Sequence, residues 1–248
     1  MIGALIIGDE ILRGKREDKH FVKLIELLGK RGLRLDWAEY LGDSPELITA
    51  TLKRSFATRD VVFSFGGIGA TPDDHTRACA AAAAGVELHL HPDAGAEMRA
   101  RFGPELNAFR LKMGEFPRGS SIIPNPYNRI PGFSVGDHHF VPGFPIMAWP
   151  MVEWVLDQRY SHLFNSRVDS EASVIVLDLM ESTITPLMTR IEARYAGTKT
   201  FSLPSIGEDG QRRHIELGVR GVADQVSAAI AEIKAGVVEL GGSWESPG

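Results

Sequence analysis

Val61-Val62-Phe63-Ser64-Phe65-Gly66-Gly67-Ile68-Gly69-Ala70-Thr71-Pro72-Asp73-Asp74-His75-Thr76 is the stretch whose reading decides the fold. The run Val61–Phe65 is short, apolar and rich in β-branched and aromatic residues, which suits a buried strand. Three glycines in the next four positions let the backbone turn sharply and approach a ligand closely. Thr71 is a good helix N-cap, and Pro72 suits a first helical position. Asp73 and Asp74 then fall in a first turn, where the helix dipole favours negative charge. The stretch therefore predicts a strand, a glycine turn and a helix from Pro72 to about Ala84.

That arrangement is a common phosphate cradle, because free backbone N–H groups point outward from it. Two carboxylates in the same turn repel a bare phosphate and make sense with a divalent metal between, since hard cations take oxygen ligands. Thr71-x-x-Asp74 also reads as a capping box. Capping explains one aspartate; it does not require three glycines.

Working outward, Ile2–Ile7 reads as a first strand, and Asp9 and Glu10 follow at its C-terminal end, where open α/β sheets bind ligands. The competing reading of this pair is a solvated loop or a cap. Phe21, Leu24, Ile25, Leu27 and Leu28 recur at helical spacing, with Asp18 and His20 at the start and a stop near Gly29 or Gly32. Leu33–Leu41 reads as a second strand. Ser44 caps a helix that has Pro45 in its first turn. The order β-α-β-α-β-α argues for a parallel sheet with right-handed crossovers. Beyond the glycine turn, Val86–Leu90 is short and apolar, Pro92–Phe102 reads as a helix and Ser120–Ile123 as a strand. Basic residues around Lys112 could reach a phosphate or form a solvated face. Residues 124–132 are too rich in Pro and Asn for regular structure and suit a site-lining loop. Gly136-Asp137 fits a hairpin turn within 133–141. Ile146–Phe164 reads as a helix whose Trp149 and Trp154 pack in the core.

Composition shifts after Phe164, and Asn165–Glu171 reads as a polar linker. The remainder predicts strand (172–179), helix (183–195), strand (200–203), a turn at Gly207-Glu208-Asp209-Gly210, strand (214–219) and helix (223–240). This gives two domains, 1–165 and 166–248, the second a smaller α+β unit with a scaffolding or interface role. The fold class is α/β: a three-layer α/β/α domain with a mostly parallel sheet, plus the small α+β domain.

The bulk numbers exclude several classes. The 248 residues carry a net charge of −5, so broad attraction to nucleic acid or anionic lipid is not expected. No apolar run approaches membrane-spanning length, and Met1–Ile7 lacks the basic start and cleavage site of a leader. One cysteine, Cys79, rules out an internal disulfide framework and suits buried packing. Together these features suggest a cytoplasmic protein.

Gly8-Asp9-Glu10-Ile11-Leu12 and Gly66–Thr76 resemble the paired motifs of MoaB/Mog-like molybdopterin-binding domains, with a closer match to the N-terminal domain of the competence/damage-inducible protein A family. Lys112-Met113, Asn125-Pro126, Pro131-Gly132-Phe133 and Pro142-Gly143-Phe144-Pro145 match that family in order. The resemblance covers roughly residues 1–165, and the remainder more faintly. It implies a three-layer α/β/α fold holding a phosphate-bearing pterin (molybdopterin as ligand) or a nucleotide over the glycine turn. Within the closer family it also implies a pyrophosphatase acting on ADP-ribose-like substrates with Mg²⁺ or another divalent metal. Carried over by position, Asp9, Glu10 and Asp74 become metal ligands, and Asp74, Asp9 and Lys112 catalytic residues. Gly66, Gly67, Gly69, Thr71, Asp73, Thr76 and Asn125 become the binding residues. Related domains assemble, so a homo-oligomer is expected. Four positions depart from the family: Ala70 for Pro, His20 for Asn, Asn128 for Gly and Met147 for Glu. The resemblance does not include the amidohydrolase domain of longer members, so nicotinamide-mononucleotide deamidation is not expected.

Three functions follow. The chain binds a molybdopterin-type or nucleotide ligand without cleaving it, which the missing carboxylate at Met147 favours. Alternatively it hydrolyses a diphosphate through a metal, with Lys112 offsetting developing charge. Last, it is a scaffold with a vestigial site.

Overall fold

The first strand, β1 (Ile2–Ile7), is buried along its whole length and faces both ways. Ile2, Ala4 and Ile6 point into one core, and Leu5 and Ile7 into another. A strand with two apolar faces must be covered on both sides. One side carries α2 (His20–Gly29) and α7 (Pro145–Arg159), through Leu24, Leu27, Leu28, Val152 and Leu156. The other carries α3 (Pro45–Phe56) and α4 (Thr76–Ala84), through Ile48, Leu52, Cys79 and Ala80. The computed structural model describes residues 1–165, 169–205 and 214–247. The chain divides into two compact units, residues 1–166 and 167–248.

In the first unit β2 (Trp37–Leu41) and β3 (Val61–Phe65) flank β1 in parallel. β8 (His138–Val141) continues the parallel run beside β3. β7 (Gly132–Val135) and β6 (Ser121–Ile123) then close the sheet antiparallel, giving the order β2-β1-β3-β8-β7-β6. A separate two-stranded ribbon pairs β4 (Leu88–Leu90) with β5 (Glu115–Pro117). Helices α5 (Pro92–Phe102) and α6 (Ala108–Lys112) lie between those strands in the chain. The expected three-layer α/β/α architecture with a mostly parallel sheet is what this unit adopts.

Three expectations change. The second strand begins at Trp37: at Asp36 the N–H still donates to the Ile2 carbonyl at 2.8 Å, but the Ile2 N–H turns to the Asp36 side-chain carboxylate at 2.7 Å, so the regular ladder starts at Gly3 and Trp37. The helix after the glycine turn begins at Thr76, not Pro72. The Asp74 carboxylate accepts from the Thr71 N–H (2.8 Å) and hydroxyl (2.5 Å), and the Thr76 N–H returns to the Gly67 carbonyl at 2.9 Å. These bonds close a loop over 67–76 before any helix can start, so Thr71 is no helix cap. Helix α7 ends at Arg159, and a separate short 3₁₀ turn spans Ser161–Leu163. Within α7, Trp149 packs on the core as expected, whereas Trp154 is partly exposed.

The second unit, taken alone, is a four-stranded antiparallel sheet in the order β10-β11-β9-β12. Its strands are β9 (Asp169–Leu177), β10 (Lys199–Ser205), β11 (His214–Val222) and β12 (Ser243–Glu245), the last not expected. Helices α8 (Glu181–Arg194) and α9 (Ala223–Glu239) bury Ile184, Leu187, Ile191, Val226 and Ile233 against Val174, Val176 and Leu217. The turn expected at 207–210 lies outside the described residues.

Candidate functional site

A cleft of about 710 Å³ opens at the C-terminal ends of β1, β3 and β8, where Ile7, Gly8, Gly66 and Pro142 line it. In the order β2-β1-β3 the chain leaves β1 to one side and returns on the other. Such a reversal leaves a crevice outside the strand ends. Its size is that of a small-molecule site.

The glycine turn forms the floor. Gly66 has φ +99° and donates its N–H to the Val141 carbonyl at 3.0 Å. A Cβ at Gly66 would come within 3.0 Å of the Ile7 carbonyl oxygen, so only glycine fits between β1 and β8. Gly67 has φ +67° and sits directly over the Thr76 hydroxyl. Thr76 is fully buried, and its Oγ1 has no hydrogen-bond partner among the described residues. Gly69 lies against the Asp74 carboxylate. Among the described residues, the N–H groups of Ile68, Gly69 and Ala70 have no intramolecular acceptor. The loop is braced from behind by Arg77, which donates from Nη2 to the Gly69 carbonyl at 2.6 Å and from Nη1 to the Lys112 carbonyl. Burial holds the Arg77 pKa below its ordinary value.

The expected site residues are distributed unevenly. Gly66, Gly67, Gly69, Thr71, Asp73, Asp74, Asn125 and Glu10 line the cleft. Asn125 is committed to its own loop: its amide donates to the Ile130 carbonyl at 2.9 Å and its Oδ1 accepts from the Tyr127 N–H at 3.0 Å. Asp9 lies outside the lining. Its N–H donates to Asp43 Oδ2 at 2.9 Å, its Oδ1 accepts from the Asp43 N–H at 3.2 Å, and its Oδ2 pairs with Arg13 at 2.5 Å. Lys112 is also outside, with Nζ 5.7 Å from the Phe109 ring centroid. Among the described residues, no group of three or more His, Cys, Asp or Glu side chains is placed to hold a metal ion. The set Asp9, Glu10 and Asp74 is therefore not assembled: Asp9 ties α1 (Asp9–Leu12) to the loop after β2, and Asp74 holds Thr71.

Among the lining residues not assigned to the site from the sequence, four bear on its chemistry: Asp43, Lys15, Arg16 and Phe144. Asp43 follows β2 at the same edge as Asp9 follows β1, so the crevice rule could have found it. Burial, opposed by the Asp9 N–H and reinforced by Asp9, Glu10 and Asp73, raises its pKa. Lys15 and Arg16 belong to the basic run Arg13-Gly14-Lys15-Arg16, a visible signal. Phe144, more than half exposed, stands at the cleft. Two departures from the family meet there: the Asn128 amide faces Met147 Sδ at 3.4 Å. His20, another departure, is buried. It stacks on Phe65 with centroids 4.5 Å apart and places Nε2 3.1 Å from the Gly143 carbonyl.

Residues 3–162 match the family model described as "Probable molybdopterin binding domain". The chain belongs to the molybdopterin-binding domain family. The matched segment contains the whole cleft and stops at the end of the first unit. A CinA-like protein of Anaeromyxobacter sp. (strain K) is 34% identical over 160 residues, 61% of this chain but 39% of that protein. A protein of Caldivirga maquilingensis is 28% identical over 201 residues, 78% of this chain and 77% of its own length. The crystal structure of CinA from Thermoplasma acidophilum, titled as of unknown function, superposes with a TM-score of 0.57 at 26% identity. It covers 63% of this chain and 96% of that one. The resemblance to the N-terminal domain of the competence/damage-inducible protein A family is thus borne out. The chain matches about two fifths of the length of the CinA-like relatives.

Proposed function

We propose that this molybdopterin-binding-family chain holds a phosphate-bearing pterin in the cleft above Gly66–Thr71 and does not hydrolyse it. The observation that carries the reading is the set of acceptor-free N–H groups at Ile68, Gly69 and Ala70, all on residues that line the cleft. Such N–H groups are open to an acceptor in the cleft, and phosphate oxygens can take them without further side chains. Family membership supports a pterin as the ligand class. Hydrolysis through a metal requires converging oxygen ligands. Asp9 is tied to Asp43 and Arg13, and Asp74 to Thr71, so among the described residues they do not converge with Glu10 on a common ion position.

The test is calorimetric titration with the phosphate monoester of 6-hydroxymethylpterin, wild type beside Gly67→Ala. The added Cβ strains a φ of +67° and meets the Thr76 hydroxyl. Binding by the wild type and its loss in a folded Gly67→Ala variant support the proposal. Equal binding by both overturns it.

A further inference from the structure

The cleft holds a charge problem that its backbone does not solve. Four carboxylates line it, those of Glu10, Asp43, Asp73 and Asp74. Glycine N–H groups donate hydrogen bonds but bring no net charge to a phosphate. Two cations also line the cleft, Lys15 and Arg16. Neither has an ion-pair partner among the described residues, whereas the neighbouring Arg13 is paired with Asp9. Their placement is fixed by the backbone. Gly14 turns the chain at φ +65°, and the N–H groups of Lys15 and Arg16 both donate to the Glu10 carbonyl, at 2.9 and 3.1 Å. The Arg16 guanidinium lies 5.9 Å from the centroid of Phe144, an exposed aromatic at the same cleft. The carboxylates of Asp73 and Asp74 lie on the glycine turn itself, so an anion held there needs positive charge brought from another part of the cleft.

We propose that Lys15 and Arg16 form the anion-binding pole of the cleft, neutralising a phosphate held on the glycine turn, so that the site selects the phosphorylated form of its ligand. The inference rests on the binding reading and adds what that reading lacks, a source of positive charge. Arg offers a forked donor set and Lys a point charge, a pairing suited to a terminal phosphate.

The experiment compares 6-hydroxymethylpterin with its phosphate monoester by equilibrium titration, in wild type and in the double variant Lys15→Gln, Arg16→Gln. Both side chains are exposed, so the variant folds; a thermal melt checks this. The wild type is expected to prefer the ester by about tenfold or more, the factor set by 1.4 kcal/mol. The variant is expected to lose that preference, its affinity for the ester falling by about tenfold or more relative to its affinity for the unphosphorylated pterin. Retention of the full preference in the variant overturns the inference, as does absence of any preference in the wild type. If the wild type binds both compounds equally and Gly67→Ala abolishes both, the binding reading stands and this inference alone falls. If it binds neither, both fall.

Discussion

Mild acid should destabilise the first unit, and the structure sets the amount. His138 and His139 begin β8 and are buried. Tyr160 donates to Asp137 Oδ1 at 2.7 Å, so its oxygen accepts from His139 Nε2 at 2.7 Å. That leaves His139 Nδ1 to accept from the Ser134 hydroxyl at 2.8 Å, which makes the ring neutral with its proton on Nε2. His138 Nε2 lies 2.9 Å from the Ser55 hydroxyl. Burial lowers the pKa values to about 4 for His138 and about 3 for His139. Both rings stay neutral in the folded chain and protonate in the unfolded chain as the pH falls through 6.5. The unfolded state then binds more protons, so stability is full above about pH 6.5 and declines below it. Between pH 7 and pH 5 each ring contributes about 2 kcal/mol of loss, together about 4 kcal/mol, a large share of a domain's usual stability. His20, lowered by burial, adds in the same direction. Urea titrations read by tryptophan fluorescence measure this, since Trp37, Trp149 and Trp154 lie in the first unit. His138→Gln should remove about 2 kcal/mol of the loss between pH 7 and pH 5. An unfolding free energy that stays level from pH 7 to pH 5 would refute the assignment of two buried neutral rings.

Gly66→Ala should destabilise the first unit by about 2–3 kcal/mol, because the residue sits at φ +99° against the Ile7 carbonyl; urea unfolding checks this, and a change below about 0.5 kcal/mol contradicts it. Ser44→Ala should cost about 1 kcal/mol, since the Ser44 hydroxyl accepts from the Leu47 N–H at the start of α3. The same measurement applies, and an unchanged midpoint counts against the cap.

The centre of the sheet was legible in the sequence because β1 and β3 are mostly apolar, fully buried runs bounded by glycine and polar turns. β1 falls on Ile2–Ile7 as expected, and Ser44-Pro45 opens its helix as expected. The glycine turn was also legible, since three glycines in four positions have few structural uses. What followed it was not. Thr71-x-x-Asp74 carries the residue types of a helix start, yet the same side chains can close a loop on themselves, and the choice depends on where the Thr76 N–H finds its acceptor across the turn. The site showed the same division. Glu10, just after β1, was found because chain order places it at the crevice, whereas Asp43, just after β2, was missed although the same rule covers it. Lys15, Arg16 and Phe144 reach it from loops whose paths are set by Gly14 and by β8, which no local pattern reveals. Lys112 was expected at the cleft by position in a motif, and only its backbone carbonyl takes part, through Arg77.

The most direct test of the central claim is a map of backbone amide shifts on titrating ¹⁵N-labelled protein with the phosphate monoester of 6-hydroxymethylpterin. The account predicts the largest changes at Gly67–Thr71, Lys15, Arg16 and Gly143. Changes centred instead on the groove lined by Glu97, Arg129 and Trp154, or on the second unit, would contradict it.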